Sequence, residues 1–220
     1  MRPRQRVQKA KVAREMRRLN RISAAIGKKD QFVTLHPLVV GITGATGVIY
    51  GVELLRTLQR LGHPRHLIIS EMGARTLGIE TDISLDEVRQ LAEVWYSIKD
   101  LAAAVSSGSF LTCGMAVCPC SVKTLSGIAN AYTQNLLIRA ADVTLKERRP
   151  LVLMVRETPF HIGHIRLMAQ ACEMGAVIMP PLPAFYQRPK DLMDIVHQSV
   201  GRVLDQFGIT HDLGQRWQGP

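Results

Sequence analysis

Four cations and several hydroxyls stand out in this chain of 220 residues, because they fall where turns between strands and helices would gather them around anions. The stretch LVVGITGATGVIYGV (38–52) runs apolar into Gly41, then repeats glycine at 44 and 47. A turn of this kind aims backbone N–H groups and a helix start at an anion. It lacks the Gly-Lys-Ser/Thr ending of a P-loop, and GxxGxxG is not the GxGxxG dinucleotide fingerprint. A phosphate site and a plain strand–helix turn both stay open. The stretch CPCSVKTL offers a second seat, with Ser121 as N-cap and Lys123 and Thr124 in the first helical turn. In NLLIRAADVTLKERRP, Asn135, Arg139, Asp142 and Lys146 are spaced four, three and four apart, which places them on one face of any helix through them. Such a stripe is either a solvated row of charge pairs or part of a site. Together, Arg139, Lys146, Arg156 and Arg202 exceed what one nucleotide monophosphate needs, and a second anion would account for the surplus.

The elements that must position these groups follow from apolar patterning. Strand-like runs are PLVVGI (37–42), HLIIS (66–70), MAVCPC (115–120), PLVLMV (150–155) and AVIMP (176–180). Helix candidates lie between them, near 48–61, 84–94, 121–147, 160–173 and 189–207. Short apolar strands alternating with amphipathic helices predict a three-layer α/β domain, a doubly wound parallel sheet of Rossmann-like or flavodoxin-like type. Ligands then bind beyond the carboxyl ends of the strands. Those ends carry the glycine loop, Ser70, the Ser121 turn, Arg156-Glu157, and the loop PPLPAFYQRP with Tyr186. Serine at position 70, where a dinucleotide fold often has an acid for the ribose, argues against NAD.

The net charge of +10 is a property of one end. Residues 1–30 hold eleven Lys and Arg against Glu15 and Asp30, whereas the remainder holds seventeen basic and sixteen acidic groups. The expected organisation is a basic extension at 1–35, one domain at 36–210 and a tail at 211–220. The extension reads as a solvated arm or an Arg-rich organelle presequence, although Ser23 is its sole serine. Nucleic-acid binding would have to run through this arm, which lacks interleaved aromatics. No apolar run is long enough to span a membrane. Cys113, Cys118, Cys120 and Cys172 form no CxxC pair, so the thiols are read as reduced, the compartment as cytoplasmic and the site as metal-free.

With GITGATGVIYGVELL, SSGSF, CPCSVKTLSGIANAY, NLLIRAADVTLKERRPLVLMVRETP, PPLPAFYQRP and VGRVLDQFGI in this order, residues 38–210 resemble the UbiX-type flavin prenyltransferases. The resemblance implies FMN bound by Gly44, Ala45 and Thr46, by Ser70, by Ser121, Val122, Lys123 and Thr124, and by Arg156. It implies a second anion, the phosphate of dimethylallyl monophosphate, held by Ser107, Gly108, Arg139, Lys146, Tyr186 and Arg202. The implied reaction joins the dimethylallyl group to N5 and C6 of reduced FMN. In it Glu157 protonates the departing phosphate, Glu80 (in the helix after Ser70) manages the flavin proton, and Thr46 supplies a hydroxyl beside the flavin. A large homo-oligomer such as a dodecamer, with sites at subunit contacts, and a UbiD-type decarboxylase receiving the product are implied as well.

The chain departs from the family pattern at Thr46, where many relatives have Ser, at Leu101, where some have Trp, and at Cys113, where some have Asp. None removes a phosphate ligand, but the first two bear on rate and donor preference. Two other readings share the fold. An FMN carrier without turnover would not need both acids and all four cations. A cysteine decarboxylase would carry a histidine just after the first helix, and none lies between Gly41 and Gly62. His161 and His164 are read as capping or packing a helix.

Overall fold

The computed structural model describes residues 35–214 together with Arg216, Trp217 and Gly219; the basic arm lies outside these residues. Strands β1 (Leu38–Ile42), β2 (Arg65–Ile69), β3 (Val94–Tyr96), β4 (Gly114–Cys120), β5 (Leu151–Val155) and β6 (Val177–Ile178) form one sheet in the order β3-β2-β1-β4-β5-β6. Every pairing is parallel. The chain therefore builds outward from β1 to β3, crosses back, and builds the other way from β4. The reversal lies between β1 and β4, where an open sheet leaves a crevice at the carboxyl ends of its strands. β1, β4 and β5 are buried along their whole length, as strands covered on both faces must be, and this explains their unbroken apolar runs.

Helices α1 (Val48–Arg60), α2 (Glu71–Glu80), α3 (Leu85–Gln90) and α7 (Leu192–Gln206) cover one face. Leu54, Leu55 and Leu58 pack there with Val40, Leu77, Val88 and Val200. Helices α4 (Val122–Ala129), α5 (Leu136–Lys146) and α6 (Ile162–Glu173) cover the other, with Leu125, Leu137 and Ala171 against Met115, Val117 and Leu153. Two side-chain layers with the sheet between them make the expected three-layer domain. Of the residues expected as a tail, 211–212 and 216 meet α7 and α1: His211 and Arg216 bind Asp205, and Arg60 binds Asp212.

Three features differ from the sequence reading. The candidate at 84–94 is a six-residue helix started by a capping box at Ser84 and Glu87, and the chain then turns extended into β3, an edge strand that the reading missed. The β-formers Val94, Trp95 and Tyr96 were available to mark it. The long candidate at 121–147 is two helices, because Asn135 caps a new one by accepting from Ile138 N at 3.0 Å. Helix α2 was absent from the periodic segments because Gly73 and Gly78 interrupt its apolar stripe; only the family resemblance placed a helix there.

At the amino edge, His63 is buried just before β2 and His66 within it. The His66 ring is hydrogen-bonded to Tyr96 at 2.9 Å and stacks on Phe110. Burial pushes both imidazoles below their ordinary range, with Glu93 opposing it only in part. A depressed folded-state value means that the unfolded chain binds more protons once the pH falls below about 6.5. Stability is thus expected to be full above that pH and to fall between about 6.5 and 5, before the carboxylates titrate. Denaturant midpoints at pH 7.5 and 5 test this, and a His63→Gln, His66→Gln double variant should flatten the difference.

Candidate active site

The glycine loop and the Ser121 turn are joined by one side chain. Thr43, fully buried, donates through Oγ1 to Pro119 O at 2.8 Å and accepts from Ser121 N at 2.8 Å. The carboxyl ends of β1 and β4 are thereby locked across the crevice. Above them opens a hollow of about 580 Å³, lined by Gly44, Ser70, Met72, Lys99, Leu101, Ser121, Lys123, Thr124 and Asn135 among others. That volume lies within the range of small-molecule sites.

Two helix starts face this hollow. Ser121 caps α4, its Oγ accepting from Thr124 N at 3.3 Å, as its position in the sequence led us to expect. The N–H groups of Val122 and Lys123, at the first positions of the helix, have no intrahelical acceptor and are free for an anion. Ser70 caps α2, accepting from Gly73 N at 2.9 Å, which leaves its own hydroxyl hydrogen to donate. Lys99 and Glu71 form an exposed ion pair at 2.9 Å on the wall, and the Lys99 ammonium holds the Glu71 carboxyl below its usual range. A phosphate seat, a ring of small polar groups and room for a planar ligand fit FMN.

The glycine loop itself does not present an open anion seat. Gly47 sits in the left-handed region at φ 90°, where a side chain would be strained, and turns the chain into α1. The amides at this helix start are met by Glu80, whose Oε2 accepts from Gly47 N at 2.8 Å and Val48 N at 3.1 Å. Glu80 is therefore the loop's anchor. Thr46 is exposed on the loop, next to Gly44 and Ala45.

Arg156 and Glu157 follow β5 beside the Ser121 turn, with Arg156 N donating to Cys120 O at 3.1 Å. Burial raises the Tyr50 phenol above its ordinary range, and the Arg156 charge pulls it partly back. Glu157 accepts through Oε1 from Thr158 N at 2.9 Å, and among the described residues no ion pair joins it to Arg156. His161 caps α6 by accepting from Gly163 N, and its ring lies against that of His164, tilted by 37° with centroids 3.6 Å apart.

The six expected phosphate ligands fall into two groups. Ser107, Gly108, Arg139 and Lys146 gather around α5. Arg139 Nε donates to Ser106 O at 3.3 Å and Nη1 pairs with Asp142 at 2.7 Å, while Lys146 pairs with Glu147. Lys146 Nζ lies so close to Gly108 that an added Cβ there would stand 2.7 Å from it. Arg149, which the sequence reading passed over although it stands in the KERRP motif, donates to Gly108 O at 2.7 Å and Phe110 O at 2.8 Å and shapes this loop. Tyr186 and Arg202 belong to the other group, beside α7, where both are exposed. Since α5 and α7 cover opposite faces, the sheet stands between the two groups within one chain. Of the expected stripe, Asn135 serves as the cap and Asp142 as the partner of Arg139.

Comparison with known proteins shows the family. The Flavoprotein family matches residues 28–201. Flavin prenyltransferase UbiX of Escherichia coli K12 is 60% identical over 185 residues, covering 83% of this chain and 98% of the relative. The chain belongs to the UbiX-type flavoprotein family. Another UbiX-type relative, the mitochondrial flavin prenyltransferase of Saccharomyces cerevisiae, is 50% identical, covering 83% of this chain and 75% of its own length. The crystal structure of AnUbiX (PadA1) in complex with FMN and dimethylallyl pyrophosphate aligns with a TM-score of 0.83 at 46% identity, over 84% of this chain and 98% of that one. A dodecameric FMN-dependent UbiX-like decarboxylase from Escherichia coli O157:H7 gives 0.81 at 48% identity, over 83% and 100%. The fold expected from the sequence is thus the fold of UbiX-type proteins.

Thr43→Val tests the lock across the crevice. It leaves the Ser121 N–H without its partner, while Pro119 O keeps the bond from Thr43 N at 3.3 Å, so a loss of about 1–3 kcal/mol in denaturant stability is expected. FMN affinity, followed by flavin fluorescence, should fall with it.

Proposed function

We propose that this chain is a flavin prenyltransferase, joining the dimethylallyl group of dimethylallyl monophosphate to N5 and C6 of reduced FMN. The observation that carries the reading is the hollow fitted to one phosphate ester, with a separate set of cations outside it for a second. When bound, reduced FMN supplies the nucleophilic nitrogen and the neighbouring ring carbon.

The chain's own work is positional and electrostatic. Ser121, the N–H groups of Val122 and Lys123, and the Lys123 ammonium hold the flavin phosphate. Thr124 completes that turn, and Ser70 with Gly44, Ala45 and Thr46 shapes the wall for the rest of the flavin. Arg156 adds a positive charge at the inner end. As the allylic carbon–oxygen bond of the donor breaks, negative charge grows on the leaving phosphate. Arg139, Lys146, Arg202, the Tyr186 hydroxyl, Ser107 and the backbone at Gly108 are donors set in place before that charge develops, which spares the reorganisation that water would need. Glu157, with one oxygen tied to Thr158 N, has the other available to deliver a proton to the departing phosphate. Glu80, with Oε2 tied to the amides of Gly47 and Val48, would use Oε1 to take up the proton that the bound flavin gives up.

Because the sheet separates the two ligand groups, we assign each complete site to more than one copy of the chain. One copy offers its α5 face and another its Tyr186 and Arg202, in a homo-oligomer for which the dodecameric relative is a precedent. The product would serve a UbiD-type decarboxylase. We assign the protein to the cytoplasm on its free thiols; no helix of the described residues is long and apolar enough to cross a membrane. The decarboxylase alternative asks for a histidine after the first helix. His63 stands there, but it is buried at the amino edge beside Cys113, at the opposite end of the strands from the hollow.

The test is an anaerobic reaction of the protein with reduced FMN and dimethylallyl monophosphate, reading released phosphate and the mass of extracted flavin. A flavin heavier by one prenyl unit is expected. Glu157→Gln should slow its formation by about 10²–10⁴-fold while binding FMN normally. Tight FMN binding with no mass change would contradict the reading.

A further inference from the structure

Beyond α7 the chain makes contacts that the proposed reaction does not use. Asp205, in the last turn of α7 and largely buried, accepts from three donors. Arg202 Nη1 reaches Oδ2 at 2.7 Å, Arg216 Nη2 reaches Oδ1 at 2.7 Å, and His211 Nε2 reaches Oδ1 at 3.1 Å. His211 Nδ1 accepts from Leu213 N at 3.1 Å, so its proton is on Nε2 and the ring is a neutral donor. Burial alone would raise the Asp205 carboxyl, but the hydrogen bonds from Arg216, His211 and Arg202 outweigh it and hold the group below its usual range.

This arrangement has two consequences. Two guanidinium groups share one carboxylate, which leaves an excess positive charge, and each commits one of its five N–H donors to Asp205. The remaining donors of Arg202 and Arg216 border a hollow of about 390 Å³ that Tyr186 also lines. The same contacts strap the chain end in place. Asp212 is gripped by both terminal nitrogens of Arg60, at 2.9 and 2.7 Å, and Trp217 meets Tyr186 edge to face with centroids 5.6 Å apart.

We propose that Asp205 is a positioning residue for the phosphate of the prenyl donor: it aims Arg202, brings Arg216 to the same site as a further cation, and braces Tyr186 through Trp217. This rests on the reading of Tyr186 and Arg202 as phosphate ligands. In isolation either arginine would swing freely in solvent; bound to a common carboxylate, they form a fork at fixed spacing, suited to two oxygens of one phosphate.

The chain has two tryptophans, so a Trp95→Phe background leaves Trp217 as the one reporter beside Tyr186. In the full-length, FMN-loaded protein, titration with dimethylallyl monophosphate is expected to change Trp217 emission saturably. Asp205→Asn should weaken that binding by about tenfold or more, and Asp205→Glu should restore most of it. In turnover, the same Asn variant should raise KM for the donor far more than it lowers kcat. Should Asp205→Asn fail to fold, Arg216→Gln keeps the Asp205–Arg202 pair and should still weaken donor binding severalfold. Unchanged affinity in the variants that fold, with wild-type Trp217 emission, would overturn the proposal. A wild-type protein that binds the donor without prenylating flavin would instead refute the transferase reading and leave the binding test of Asp205 in force.

Discussion

A parallel sheet must be covered on both faces, because its strands are joined by crossovers and both surfaces are apolar. Here that constraint decides where the anion ligands can stand. The residues proposed for the flavin phosphate lie on loops at the carboxyl edge, where the connections that follow the paired strands β1 and β4 part and one chain can gather them. The residues proposed for the donor phosphate stand on α5 and α7 or on loops beside them, and the crossovers send those two helices to opposite faces. No side-chain rotation carries an arginine through a layer built of Leu137, Val117 and Val200. On the proposed reading, a site needing both groups is made between copies, and exposed cations on each chain are what such a division would leave.

The glycine loop shows how a familiar pattern can be put to a different use. Its helix start carries the partial positive charge that attracts phosphate elsewhere, yet here Glu80 of the same chain meets those amides. The loop becomes a rigid wall, fixed below by Glu80 and sideways by Thr43, and the open helix start is that of α4. In the proposed flavin site, shape at β1 and charge at β4 are thus separate contributions.

Much of this was legible in the sequence. The buried strands announced themselves as apolar runs, and Ser121 and the Arg156-Glu157 pair were found as groups that follow strand ends. What escaped did so for physical reasons. β3 pairs along one edge for three residues, too short for a pattern to emerge. The break between α4 and α5 depends on Asn135 choosing to cap rather than continue a helix, which propensity alone leaves open. Glu80 reads as a surface acid until the loop it meets, more than thirty residues earlier, is folded against it. Arg149 was hidden in the charge-rich run KERRP, where composition cannot tell a clamp from a solvated side chain, and the partners of Asp205 at 211 and 216 lie beyond the end of its helix.

The division of the site between copies is tested most directly by mixing. Arg139→Ala spoils one ligand group and Arg202→Ala the other, and each homogeneous assembly should fail to prenylate flavin. Co-expressed, the two variants should form mixed assemblies in which about a quarter of the shared sites draw both groups from intact faces, with a rate to match. Mixed assemblies as inactive as their parents would contradict the account and return both groups to a single chain.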